Sequence, residues 1–335
     1  MTIKDLAAQT GYSVGTVSRV LNNQPHVSDL AREVILRAAE ESGFQLNTNA
    51  KELKQQHGNS ILVVVKGRTN DLFADLIEVI QTNLIQTSYP LILDYIDETD
   101  NEVRRAVQLS REKKPLGILF LGGNRDHFLE DFHQISLPCV LVTNDATDLP
   151  FPNLSSVACD DMQASRMVIR DLVKFGHRKI VVIGGNREKS DTTRLRYEGC
   201  LSAFREHGIP FDPELDYETT RFSFEDGYRA AKSQLQRNSG FTAVFAMADT
   251  MAIGAIRALQ DSGKRVPEDI SGVGFDGRTI GEYTIPRLST VEQPVALLAE
   301  QSLNLLRRNI EDNTTANYEN VPVSLLWKES VRKIG

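Results

Sequence analysis

Cysteine is scarce in this chain. Cys139, Cys159 and Cys200 are scattered and odd in number. They supply neither a disulfide framework nor a metal-ligand spacing, and they suit a reducing compartment. No apolar run reaches the roughly 18 residues that a membrane span needs. The opening MTIKDLAAQT carries a charged pair at Lys4 and Asp5 and no apolar signal segment, so a cytoplasmic protein is expected. Excess positive charge is missing too: the formal net charge is -7. Residues 1–60 set Lys4, Arg19, Arg32, Arg37, Lys51 and Lys54 against Asp5, Asp29, Glu33, Glu40, Glu41 and Glu52, an even balance. Any binding of nucleic acid must therefore rest on the placement of individual groups and not on bulk charge. His26, His57, His127, His133, His177 and His207 build no nucleophile–base set or ligand cluster. No enzyme, cofactor or metal is expected. Gly122-Gly123 and Gly184-Gly185 complete neither G-x-G-x-x-G nor a P-loop, and are read as turns after strands.

What is present is ordinary globular composition, 41% hydrophobic and 25% charged over 335 residues, enough for two or three domains. Three short helices are expected in the first fifty residues. Thr2 with Asp5 forms an acidic capping box before Ile3, Leu6 and Ala7. After Gly11, Ser13 caps a second helix with Val14, Val17 and Leu21 as its buried stripe and Val20 beside it. Ser28 caps a third, with Leu30, Val34, Ile35 and Ala38 inward. A glycine turn between the first two helices gives a helix-turn-helix. The polar face of the second (Gly15, Thr16, Ser18, Arg19, Asn22) suits either a major groove or plain solvent.

The run TIKDLAAQTGYSVGTVSRVLN, continued by His26-Val27-Ser28, resembles the head of the lactose/galactose repressor (LacI/GalR) family. The resemblance implies that Val14, Gly15 and Arg19 face base edges, while Thr2, Ser13, Thr16, Ser18, Asn22 and His26 hold the DNA backbone. Phe44, Asn47, Ala50 and Leu53 match the family's connector. That implies a short hinge helix which orders on DNA, with Ala50 and Leu53 in the minor groove and Leu53 as a wedge. Leu46 in place of the usual proline, and Glu52, depart from the pattern.

From Ser60 onward apolar strands alternate with amphipathic helices. The strand candidates are residues 61–65, 91–96, 117–121, 139–143, 179–183, 243–247 and 270–275. The helix candidates are 71–86, 102–112, 162–175, 194–207, 226–236 and 250–262. That pattern predicts α/β architecture with parallel sheets covered on both faces. GILFLGGNRDHF (117–128) echoes KIVVIGGNREKS (179–190), which suggests two similar lobes. The family resemblance covers nearly the whole chain and implies a core like periplasmic sugar-binding proteins. The expected layout is a head at 1–46, a hinge and linker at 47–59, and a two-lobed domain at 60–335. The first lobe takes about 60–158 and 290–320, and the second about 159–289 and 321–331.

The resemblance also places an effector site between the lobes, with Phe73, Thr143, Arg196, Phe222, Ala248, Asp249, Asp276 and Gln293 at family pocket positions. An alternative for Arg196 and Asp276 is an ion pair between the lobes. Thr143 and Ala248 replace polar family residues, and Lys66 and Arg68 bring two cations near the cleft. A sugar phosphate or sugar acid is therefore expected over a plain hexose. The function implied is a ligand-responsive repressor of carbohydrate-related genes, binding a pseudo-palindromic operator as a homodimer. An activator of the same family, or a solute-binding protein without DNA regulation, are the alternatives.

Overall fold

The computed structural model describes the chain apart from residues 1, 22–24, 26, 45–57, 69, 86, 88, 238–239, 313 and 335. It divides into two units, 1–57 and 58–335. Asn22, His26, Ala50 and Leu53, and with them the expected hinge helix, lie outside the described residues.

The first unit holds α1 (Ile3–Thr10), α2 (Val14–Leu21) and α3 (Asp29–Glu41). The expected caps form. Thr2 and Asp5 exchange bonds as a capping box, the Ser13 hydroxyl accepts from the Thr16 amide at 3.1 Å, and Ser28 accepts from Ala31. Leu6, Ala7, Val17, Val20, Ile35 and Ala39 form the core. Two expected stripes shift in phase. Val14 is exposed and Val20 buried; Leu30 and Val34 are exposed while Ala31, Ile35 and Ala39 point inward. The alanines let α3 lie close against its neighbours, and so small a bundle has room to bury only one stripe of each helix.

The second unit contains two six-stranded sheets. The first runs β11-β5-β4-β3-β1-β2, all parallel. Its strands are β1 (Ile61–Lys66), β2 (Leu91–Ile96), β3 (Gly117–Leu121), β4 (Cys139–Val142), β5 (Leu154–Ala158) and β11 (Tyr318–Asn320). The second runs β12-β10-β9-β8-β6-β7, parallel except for antiparallel β12. It comprises β6 (Ile180–Gly184), β7 (Tyr217–Thr219), β8 (Ala243–Ala246), β9 (Ser271–Asp276), β10 (Ser289–Glu292) and β12 (Ser324–Leu326). Alternate residues of one apolar run serve opposite faces. Ile61, Val63 and Val65 join one hydrophobic cluster, whereas Leu62 and Val64 join the other. Both faces of each sheet are thus covered by helices, which is why these strands lack polar alternation.

Apart from a single turn at Pro213–Asp216, the helices are α4 (Asp71–Ile85), α5 (Glu102–Lys113), α6 (Arg125–Asp131), α7 (Asp161–Lys174), α8 (Asp191–Glu206), α9 (Phe224–Arg237), α10 (Asp249–Asp261) and α11 (Val295–Asp312). The apolar stripe of α4 (Leu72, Leu76, Ile80, Leu84) is core, in one cluster with Leu298, Leu303, Leu305 and Leu306 of α11. The chain crosses between lobes after β5, after β10 and after β11. The second crossing falls after Glu292, a few residues beyond the expected lobe boundary at about 290, because all of β10 pairs with β9. The echo of 117–128 in 179–190 does not register the two lobes either. By strand order β6 corresponds to β1, and β9 to β4.

Candidate functional site

At the carboxyl ends of the strands, between the two lobes, lies a cavity of about 160 Å³. Crevices of this kind are where open parallel sheets bind ligands, because strand ends and loops converge there without satisfying one another. Phe73, Thr143, Arg196, Phe222 and Asp276 all line it, as the sequence reading placed them. So does Lys66, expected near the cleft, and so do Asn70, Thr99, Asn186, Lys189, Ser190, Thr192 and Thr220, which that reading missed. Their common signal is position, within a few residues of a strand's end or a helix's start.

Two close approaches shape the walls. A Cβ on Gly122 would lie 3.0 Å from the Phe73 ring, and one on Gly185 would lie 2.7 Å from the Phe222 ring. The glycine pairs after β3 and β6 are therefore more than turns: Gly122 and Gly185 leave room for one aromatic ring in each lobe. Thr143, just after β4, and Asp276, at the end of β9, occupy equivalent places in the two lobes. Both have positive φ, 74° and 109°. Non-glycine residues held there store strain, a cost that folds tolerate at functional sites.

Arg196 sits on α8, buried, its guanidinium 3.6 Å from the Phe275 ring centroid. Its Nε donates to Asp161 Oδ1 at 2.7 Å and its Nη1 to the Met247 carbonyl at 2.5 Å. Nη2 stands 3.7 Å from Asp276 Oδ1. All four residues belong to the second lobe, so the pairing is internal to that lobe and does not bridge the two. Gln293 does not line the cavity; its Nε2 donates to Asp276 Oδ1 at 2.7 Å and orients that carboxylate. Burial raises the Asp276 carboxyl and outweighs the neighbouring Arg196, and the same cause lifts Asp161 to about 6. Two carboxyl groups thus share the one guanidinium beneath the cavity.

Ala248 and Asp249 are not among the lining residues. Asp249, at the start of α10, accepts the Arg278 amide at 2.5 Å and the Thr290 hydroxyl at 2.6 Å. It braces the loop after Asp276 from behind. Burial, with Asp276 nearby, raises its carboxyl to about 7. Neither residue reaches the cavity as the family correspondence implied, and Ala248 has no polar group to offer it.

Lys66 faces the cavity, yet its charge is already paired. Its Nζ meets Glu102 Oε2 at 2.5 Å and also bonds the Asp100 carbonyl. Glu102 is fully buried and further accepts from the Asn124 amide at 2.6 Å and bonds His127 Nδ1 at 2.9 Å. Burial alone would raise its carboxyl; His127, Lys66 and the amide outweigh that and hold it below the ordinary value. Arg68 is exposed and outside the lining. Lys189, also in the lining, is exposed.

In the head, Ser13, Val14, Gly15 and Arg19 share an exposed face of α2, with Thr16 and Ser18 half-buried beside them and Thr2 exposed at the start of α1. A side chain on Gly15 would meet only the Ser13 hydroxyl, at 3.7 Å, so this part of α2 can approach another backbone closely.

A helix-turn-helix unit followed by a two-lobed ligand cleft defines a ligand-responsive DNA-binding transcription regulator. Residues 2–47 match the family described as bacterial regulatory proteins, lacI family, and residues 169–331 match the periplasmic binding protein-like domain. The HTH-type transcriptional regulator MalR of Clostridium butyricum is 35% identical over 91% of this chain and 92% of its own. The ribose operon repressor of Haemophilus influenzae is 31% identical over 95% and 94%. A solved complex of the transcriptional regulator CelR with cellobiose superposes with a TM-score of 0.72, at 27% identity over 98% of this chain and 99% of that one. The chain belongs to the lacI family of bacterial regulatory proteins, a family of transcription regulators and not of enzymes. Among the described residues, no helix is long and apolar enough to cross a membrane.

Proposed function

We propose that this protein is a cytoplasmic homodimeric repressor of carbohydrate-related genes, and that its effector is a neutral sugar or sugar derivative. The observation that carries the ligand reading is the cavity floor. Asp276 and the free Nη2 hydrogens of Arg196 can accept from and donate to hydroxyls, and two phenylalanine faces cover the apolar side of a ring. Arg196 is already shared by Asp161 and Asp276, and Lys66 is held by Glu102, so neither cation is left over for an anionic group. These pairings turn the reading away from the sugar phosphate or sugar acid that the bare sequence favours. Titration calorimetry with cellobiose, maltose and ribose against sugar phosphates and uronates tests it. Tighter binding of the charged compounds overturns it.

Regulation would run through the head and hinge. Val14, Gly15 and Arg19 read base edges; Thr2, Ser13, Thr16, Ser18, Asn22 and His26 hold phosphates; Ala50 and Leu53 enter the minor groove. Dimerisation is supported by exposed apolar side chains in both lobes: Tyr95 on edge strand β2, and Tyr283 and Ile285, 82% and 89% exposed, after β9. Two-fold symmetry calls for a pseudo-palindromic site. Selection of bound sites from random duplex DNA should enrich such a palindrome. Enrichment of a single half-site, or of none by a folded dimer, would overturn this part.

A further inference from the structure

The lobes touch through a set of polar bridges that no sequence motif announces. Arg221 stands between Thr220 and Phe222, both in the cavity wall. It reaches across to the first lobe, Nε to Glu98 Oε1 at 2.5 Å and Nη2 to Asp97 Oδ2 at 3.0 Å. Glu98 and the adjacent Thr99 line the cavity from the other side. Asp97 is held in place by the amide and hydroxyl of Thr99, at 3.1 and 2.9 Å, so its carboxylate is already aimed. On another flank Arg278, two residues after Asp276, sets Nη1 2.9 Å from Asp75 Oδ2 of α4. A third strip joins the Arg125 amide to Asp191 Oδ2 at 2.6 Å and Asn124 Nδ2 to the Lys189 carbonyl at 3.1 Å. In the two ion pairs the cations, Arg221 and Arg278, come from the second lobe and the carboxylates from the first; in the third strip the carboxylate, Asp191, belongs to the second lobe.

We propose that Arg221 is a positioning residue of the ligand response: its guanidinium fastens the rim of the second lobe to Asp97 and Glu98 of the first, so cleft closure depends on ionic strength even where the ligand carries no charge. A surface ion pair adds little to global stability, commonly less than about 1 kcal/mol. Closure is a different equilibrium. Its two states differ by only a few kcal/mol, so a small bias changes their populations several-fold. One guanidinium holding two pre-aimed carboxylates, with cavity residues on both sides, is placed to supply that bias. The inference rests on the interlobe cavity being the effector site. Its test needs no sugar, so it can fail separately from the ligand reading.

The test is hydrogen exchange on the full-length protein without added sugar, followed in peptides spanning 122–128. The Arg125 amide there is bonded to Asp191 across the cleft, so its exchange reports opening. Between about 0.01 M and about 1 M salt the screening length falls from about 30 Å to about 3 Å. Wild-type protection should fall over that range. Arg221→Gln should exchange about two- to fivefold faster at low salt and respond much less to added salt. Arg221→Glu combined with Glu98→Arg should recover both protection and salt response, which simple loss of packing would not allow. If Arg221→Gln matches wild type at low salt, or keeps the full salt response, the proposal is wrong and the remaining bridges hold the lobes. These side chains are exposed, and equal melting temperatures for the variants would exclude unfolding as the cause.

Discussion

Gly199→Ala tests whether helix packing positions the ligand grip. Gly199 lies one turn beyond Arg196 on α8, where that helix crosses α7. A Cβ there would lie 2.1 Å from the Met162 carbonyl oxygen and 3.1 Å from the Arg166 amide nitrogen. Backbone atoms cannot rotate out of the way as a side chain can, so α8 must retreat by about 1 Å to reach ordinary contact. Arg196 would retreat with it, and the residue it grips, Asp161 at 2.7 Å, is the first residue of α7. Overpacking costs about 1–3 kcal/mol, and stretching a buried charge-assisted hydrogen bond forfeits part of a further 1.5–3 kcal/mol or so. The better helix propensity of alanine offsets about 1 kcal/mol. The net expectation is a loss of about 1–4 kcal/mol, a fall in Tm of about 2–16 °C for a domain of this size. The single tryptophan, Trp327, meets Phe175 edge-on at 5.0 Å at the end of α7 and reports unfolding of the second lobe by fluorescence. Sugar affinity should fall as well, because Arg196 is displaced even in molecules that remain folded. A variant that melts with wild type and binds sugar normally would refute the claim that this crossing fixes Arg196.

Other outcomes follow from the same geometry. Asp249→Asn should be more stable than wild type at pH 8, by up to about 4 kcal/mol, and no more stable near pH 4. The folded wild type keeps a proton up to about pH 7 that the unfolded chain releases near pH 4, so its stability declines across that window; denaturant titrations at both values check this. Thr143→Gly relieves a positive φ of 74° and should raise stability by about 1 kcal/mol; an unchanged or lower Tm would count against strain there. Asp276→Asn should weaken sugar binding at least tenfold while leaving operator binding without sugar intact, measured by calorimetry and by fluorescence anisotropy. Arg19→Ala should relax base preference at one operator position at a cost of about 1–3 kcal/mol, whereas loss spread evenly over all sequences would assign Arg19 to phosphate.

The strands that can be read from the sequence are those buried on both faces. Ile61–Val65, Gly117–Leu121 and Ile180–Ile183 are near-continuous apolar runs because helices cover both sides. Those that escape are short or polar. Leu154–Ala158 and Ser289–Glu292 bury Ser155, Ser156, Ser289 and Thr290, whose hydroxyls bond distant groups such as Asn309 and Asp249. No periodicity rule separates such a strand from a loop. The cleft shows the same division. Arg196, Phe222 and Asp276 are found because resemblance carries positions, and the fold brings those positions to one cavity. The partners of Lys66 and Arg221 lie 36 and 123 residues away. Only the assembled lobes reveal that one cation is paired and the other bridges the cleft.

The three crossings of the chain between lobes also order events in time. The first sheet lacks its edge strand β11, and its layer α11, until residues 295–320 have been made. The second lacks β12 and Ser330, whose hydroxyl accepts the Ser289 amide and donates to the Gly272 carbonyl. During synthesis neither lobe can close its core until residues 295–330 have been made. The three helices of the head, within residues 3–41, are made long before either lobe can close.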